Sequence, residues 1–250
     1  MSTARTAAAL IASLTLITAP VLTACEDNTQ DSSSSSSAAS DSSADSSKSD
    51  TKDKDSKDKK TATSDTSPSQ AGSSAKPASG DTQEITGSST GLTFAVPKDW
   101  QDLKNLDPSE KERVAQTMGI DGAALDQQTA AFDVFYRAKK QDSTGFYNNV
   151  NMAAQTQQLT SVPSKSNIEL LLAGQGATLK EYTTKQTAKG EAAVGTYTIQ
   201  GGGKTAEGAV IVVPTSQPTA GAASYTTIYV SAGTADEETQ ITNTIIDTIH

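Results

Sequence analysis

Every aromatic residue of the 250-residue chain (four Phe, six Tyr and one Trp) lies at or beyond Phe94. This segregation decides what can fold. Residues 26–84 are built from Ser, Asp, Lys, Ala and Thr, with no aromatic side chain. Such a stretch buries too little apolar surface to offset the entropy of ordering its backbone. It carries twelve acids and seven lysines, mixed in "KSDTKDKDSKDKK" at Lys48 to Lys60, which keeps it solvated without making a one-sign arm. It reads as a disordered linker, a coil spanning roughly 43 Å end to end. Its serines leave open an unmodified spacer or a glycosylated one. The core must come from residues 85–250, long enough to bury about 70% of the unfolded surface as one domain. That domain holds 12 basic and 17 acidic side chains, which argues against a nucleic-acid partner and against docking on anionic lipid.

The first 24 residues read as a targeting segment. Met1 to Thr6 carries one cation, Arg5, and "AAALIASLTLITAPVL" (Ala7 to Leu22) is uncharged and mostly apolar. That run is short for a membrane span and leads into a polar tract, as a signal h-region does. Leu22-Thr23-Ala24-Cys25 resembles the lipobox of bacterial lipoproteins. The resemblance implies cleavage after Ala24 and a diacylglyceryl thioether on Cys25, making the membrane a partner through that lipid. Two acyl chains would make the attachment durable where one would not. Ordinary signal-peptidase cleavage after Ala24 and a stray thiol are the competing readings, although Leu22 fits an A-x-A site poorly. Cys25 is the only cysteine, so the exported domain is expected to be stable without a disulfide.

Within the domain the patterning predicts α+β. "GLTFAVP" alternates Leu92, Phe94 and Val96 on one face and stops at Pro97, which is a strand signal. Asp107-Pro108-Ser109-Glu110 combines an N-cap, a proline at N1 and a Glu at N3, opening a helix through about Met118. A short helical piece follows over Gly122 to Gln128. "FDVFYRA" (Phe132 to Ala138) and "NNVNMAAQ" (Asn148 to Gln155) read as strands around a turn at Gly145, and "NIELLLAGQG" as a helix ended by Gly174 or Gly176. "KEYTTKQT", "AAVGTYTIQ", "AEGAVIVVP" and "SYTTIYVSA", with short Gly-bounded connections, predict an antiparallel meander. Thr234 and Glu237 form a capping box, and Ile241, Ile245 and Ile249 give one apolar stripe for a closing helix that packs on the sheet.

"FAVPKDW", the central "YNNVNM", the late meander and the closing "IIDTI" together resemble PsbP/Mog1-like domains, especially the actinobacterial LpqN-type lipoproteins. The resemblance covers about 160 residues. It implies an antiparallel sheet flanked by helices in an α/β/α arrangement. It implies no shared chemistry, since members act mainly in binding or assembly. The metal-binding histidines of the photosystem relatives have no counterpart here.

No catalytic constellation stands out. The only histidine is His250, so Ser-His-Asp and Cys-His arrangements have no base to use, and a zinc site has neither ligand type. "GGGKT" (Gly201 to Thr205) lacks the glycine that a phosphate loop needs at Thr198, and Lys204 leads into a strand rather than a helix; it reads as a hairpin turn. Asp236, Glu237 and Glu238 sit in the first turn of a capped helix and lack the spacing of a calcium loop. Neither a metal nor another cofactor is expected. The candidates that remain are recognition groups. Trp100, flanked by Asp99 and Asp102, is either a cap on the core edge or part of a sugar-binding surface. Phe146, Tyr147, Asn149 and Asn151 combine aromatics with amides, though Asn148 and Asn149 after Gly145 are also turn formers. These residues suggest a non-catalytic domain for a protein or glycan partner of a Gram-positive envelope; the alternative is a carrier or sensor for a small apolar or glycolipid ligand between sheet and helices.

Overall fold

The computed structural model describes residues 74–201, 204–216 and 222–250; the leader, Cys25 and the linker up to residue 73 lie outside the described residues. Two strands come first, β1 (Thr82–Thr86) and β2 (Thr93–Pro97), paired as an antiparallel hairpin from Thr82↔Pro97 to Thr86↔Thr93. The fold thus begins upstream of the boundary expected at residue 85. Only Ile85 of "TQEIT" is buried, so the strand forms by pairing with β2 and not by its own pattern. Further upstream, the Lys76 backbone N–H donates to the Asp247 carbonyl at 2.8 Å.

The main sheet is entirely antiparallel. It comprises β3 (Trp100–Asp102), β4 (Phe132–Ala138), β5 (Asn149–Ala153), β6 (Gln157–Leu159), β7 (Ala177–Thr187), β8 (Gly190–Gly201), β9 (Lys204–Pro214) and β10 (Ala223–Ala232). Their order is β3-β4-β5-β10-β9-β8-β7, and β6 continues alongside β10 past the end of β5. The last four long strands form the expected meander. Lys204 opens a strand paired to Gly201, as the hairpin reading of "GGGKT" requires. β3 and β6, three residues each, are too short to leave a period in the sequence.

Among the described residues, four helices cover the sheet. α1 (Pro108–Met118) is capped by the Asp107 carboxylate, which accepts from Ser109 N and Glu110 N, and it ends at Gly119, whose φ of 73° is the left-handed cap that glycine permits. α2 (Gly122–Thr129) is capped by Asp121, and α3 (Lys165–Ala173) by the Ser164–Asn167 capping box. α4 (Ala235–Thr248) starts at Thr234, whose hydroxyl accepts from Glu237 N.

Strand alternation sorts the core by face. Val134, Val150, Met152, Val194, Ile211, Ile228 and Val230 point to one side, where Ile241, Ile245, Ile246 and Ile249 of α4 and Phe94 and Val96 of β2 close over them. On the other side, α1 and α2 cover the β4 end with Leu103, Val114, Leu125, Phe132 and Phe135, while α3 covers the β8 and β9 end with Ile168, Leu172, Tyr197, Val210 and Tyr229. The domain is therefore α+β, with helices on both faces of one antiparallel sheet. Among the described residues no helix is long and apolar enough to cross a membrane.

Candidate functional site

Between the ground covered by α1 and that covered by α3, β5 and its neighbours carry a strip of polar side chains. Its position follows from register. Val150 and Met152 face α4, so Asn149 and Asn151 face the other way. Arg137 lies directly opposite Asn149 on β4 and directly opposite Gln101 on β3, while Asn151 lies opposite Tyr229 on β10.

Arg137 is only 6% exposed. Its two terminal guanidinium nitrogens both donate to Thr117 Oγ1 of α1 at 3.3 Å; that hydroxyl is free to accept because it donates its own proton to the Val114 carbonyl at 2.6 Å. The guanidinium stacks on the Tyr147 ring, 4.2 Å from its centroid. No carboxylate pairs with it among the described residues. Burial, foremost, and the nearby Arg113 pull its pKa below the ordinary arginine value, yet a guanidinium stays charged in a protein. A buried cation normally has a paired anion. This one does not.

Three buried polar atoms on this strip have no hydrogen-bond partner: Arg137 Nε, Gln101 Oε1 and Asn151 Oδ1. The fourth such atom in the described residues, Asp142 Oδ2, belongs to a half-buried turn. The other buried polar side chains are satisfied. Thr129, Thr187 and Thr226 donate to backbone carbonyls, Thr248 bridges to Ala95 N, Asn148 Oδ1 accepts from Gly233 N, and Glu238 accepts from Thr242 and Thr239. Orphaned buried polar atoms are uncommon in native folds, and three on adjacent strands of one face form a cluster.

The strip continues to Tyr229, whose hydroxyl accepts from Gln175 Nε2 at 2.8 Å, and to Tyr197, which donates to the Val230 carbonyl at 3.3 Å. Burial pushes the Tyr197 phenol up to about 12 and the Tyr229 phenol higher still, so both stay protonated at neutral pH. Guanidinium, amides and protonated phenols hold ligands by hydrogen bonds; none of them is poised to move a proton near neutrality.

Of the residues singled out in the sequence, Tyr147, Asn149 and Asn151 come together here. Asn149 Nδ2 donates to the Tyr147 carbonyl at 3.1 Å. Asn151 is 5% exposed, too buried for an open docking surface. Phe146 belongs to the preceding turn, where its N–H and that of Thr144 donate to Asp142 Oδ1, so its backbone does what turn residues do. Trp100 is elsewhere. It is 6% exposed and points into the core beneath α4, because Gln101, its neighbour on β3, takes the face of the strip. Arg137 and Gln101 were not among the sequence candidates. No signal in the sequence points to them, because the pairing that sets them side by side runs through a three-residue strand that leaves no period.

No family model matches the chain, and no curated protein does. Three solved structures are similar in outline. LpqN, involved in cell envelope biogenesis of Mycobacterium tuberculosis, shares 14% identity over 67% of this chain and 90% of its own, with a TM-score of 0.40. Cyanobacterial PsbP from Synechocystis sp. PCC 6803 shares 14% over 72% and 98%, also at 0.40. The Ran-binding protein Mog1p of Saccharomyces cerevisiae shares 12% over 68% and 94%, at 0.38. These are the kinds of protein that the "FAVPKDW" opening resembles. At such values the likeness transfers no site and no activity to this chain.

Proposed function

We propose that the chain is an extracytoplasmic lipoprotein, cleaved after Ala24 and held in the cell membrane by a lipid on Cys25. Its folded domain binds a protein or glycan partner of the envelope without catalysing a reaction. The anchor reading is supported by the lipobox and the h-region before it, and the spacer reading by the aromatic-free linker. The binding reading is supported by one observation above all: two orphaned amide oxygens, Gln101 Oε1 and Asn151 Oδ1, share one face with a guanidinium whose Nε is orphaned and which no carboxylate pairs among the described residues. Such groups are costly to bury unless something completes them.

The same observation favours a second reading, a carrier or sensor holding a small ligand between sheet and helices. Arg137, Gln101 and Asn151 are each less than 10% exposed, so whatever completes them reaches into the strip instead of lying on a flat surface. A partner could do so by inserting one polar group. A free small molecule could do so whole.

One experiment separates these readings. Membranes carrying the intact protein and a Tyr147→Ala/Asn149→Ala form are extracted with detergent, and the co-purifying material is identified by mass spectrometry, after thermal melting has shown that the double variant folds. A macromolecular partner lost from the variant supports docking, and a small molecule lost from it supports the carrier. An unchanged set of companions sinks both. Turnover of any ester or glycoside by the purified protein sinks the non-catalytic reading alone. Cys25→Ser should shift the protein from membrane to medium or leave it unprocessed; a variant that is processed and stays in the lipid phase contradicts the anchor.

A further inference from the structure

We infer that the strip on β3, β4 and β5 is a receptor for a carboxylate whose neighbouring carbon carries an N–H or O–H group. The inference deepens the binding reading above and rests on it. Residues directly opposite across antiparallel strands have Cβ atoms about 4.5–5.5 Å apart, and diagonal neighbours roughly 7–8 Å. Gln101 and Asn149 flank Arg137 directly, and Asn151 is its diagonal neighbour through the Phe135↔Asn151 pair. Arg137 thus stands at the centre of the cluster, with Gln101 on one side and Asn149 and Asn151 on the other.

The chemistry of its ligand follows from what is unsatisfied. Arg137 holds a positive charge away from water with one hydroxyl as its hydrogen-bond acceptor among the described residues, and its Nε is unpaired there. It requires an anion. Tyr147 stacks on one guanidinium face and Thr117 Oγ1 fills the edge between the two terminal nitrogens, so the edge that carries Nε is the one left for an in-plane bond to a carboxylate or phosphate oxygen. Charge selects between those two. A carboxylate balances one guanidinium, whereas a phosphate dianion would keep uncompensated charge in a buried place. Arg113, the other nearby cation, is tied to Glu110 at 3.2 Å. Gln101 Oε1 and Asn151 Oδ1 are orphaned acceptors, and they require donors. A carboxylate has no donor to offer, so the donor must come from the adjoining carbon. α-Acylamino and α-hydroxy acids, including peptide C-termini and acidic sugars, have this pattern.

The test uses N-acetylalanine, acetate and inorganic phosphate against the purified full chain, followed by calorimetric titration and by thermal shift. N-acetylalanine should bind saturably and raise the melting temperature; acetate should bind more weakly, and phosphate no better than acetate. Arg137→Met should weaken N-acetylalanine at least about tenfold, as expected when a charge-assisted hydrogen bond is lost. No saturable binding of N-acetylalanine, equal affinity in Arg137→Met, or a preference for phosphate would each overturn the inference. If Arg137→Met does not fold, Asn151→Ala decides. It should erase the advantage of N-acetylalanine over acetate, and an undiminished advantage overturns the donor pairing. A protein that ignores all three ions yet loses its envelope companion through Tyr147→Ala/Asn149→Ala keeps the binding reading and refutes this one.

Discussion

The two faces of the sheet solve the same burial problem in different ways. Under α4 the contact is made of isoleucine and valine, and the polar groups nearby are completed by the protein itself. Ala95 N donates to Thr248 Oγ1 at 2.9 Å across the helix–hairpin seam. Asp133 accepts from Ser89 N, Thr90 N, Ser88 Oγ and Thr90 Oγ1, fastening the loop between β1 and β2. That loop is fitted so closely that a Cβ on Gly87 would come within 2.2 Å of Asp133 Oδ2. On the opposite face, the strip on β3, β4 and β5 keeps polar atoms that the chain does not complete. A fold gains stability where its groups satisfy one another and recognition where they do not. One face is therefore built for stability, and the other gives some of it up.

The largest effect should come from the stable face. Ile245 is fully buried on α4, and Ile245→Ala should cost about 2–5 kcal/mol in urea unfolding, through lost transfer energy and the cavity left behind. A loss below about 0.5 kcal/mol would mean that the helix is not docked as described.

Next comes the loop clamp. Asp133→Ala leaves two backbone N–H groups without their acceptor and should cost about 1–3 kcal/mol. Burial opposes ionisation of this carboxyl, but the hydrogen bonds from Ser89, Thr90 and Ser88 outweigh it, and the pKa lies below the ordinary 3.8. A depressed carboxylate stabilises the fold fully above its unfolded pKa and loses that contribution as pH falls through the folded value. Acid melts should therefore weaken the wild type below about pH 4, and Asp133→Asn should flatten that part of the profile. Equal acid slopes in the two proteins would remove Asp133 from the account.

The smallest change in stability is expected at Arg137, although the loss of binding there should be large. Arg137→Met removes an unpaired buried charge and replaces it with an adaptable apolar chain, so stability should stay within about 1 kcal/mol of wild type, or rise. A loss above about 3 kcal/mol would show that Arg137 is structural and that the two faces are alike.

How much of this was legible in the sequence depended on how local its cause was. The caps at Asp107 and Thr234, the meander and the isoleucine stripe are short-range patterns, and each appears where the chain spells it. β1 was not legible, because a strand with one buried side chain forms only through its pairing with β2. Tyr147, Asn149 and Asn151 were visible as amides beside an aromatic. Arg137 was not: an arginine near the end of "FDVFYRA" reads as a side chain facing water, and only α1 above it and Tyr147 beside it bury it. Trp100 shows the reverse. Its type left open a cap on the core edge or a surface for sugars, and the pairing of a three-residue strand that no period announces turns it into the core.

The seam between β2 and α4 also sets a clock. Ala95 is bonded to a residue 153 positions later, and Thr93 exchanges both backbone hydrogen bonds with His250 at 2.9 Å. At synthesis rates of about 5–20 residues per second, β2 waits roughly 8–30 s for the helix that covers it. Until then the apolar side of the nascent sheet has no roof, and its longest loop cannot close. Closing that face is therefore a long-range event, and it carries a loop-closure entropy that no hairpin of the meander has to meet.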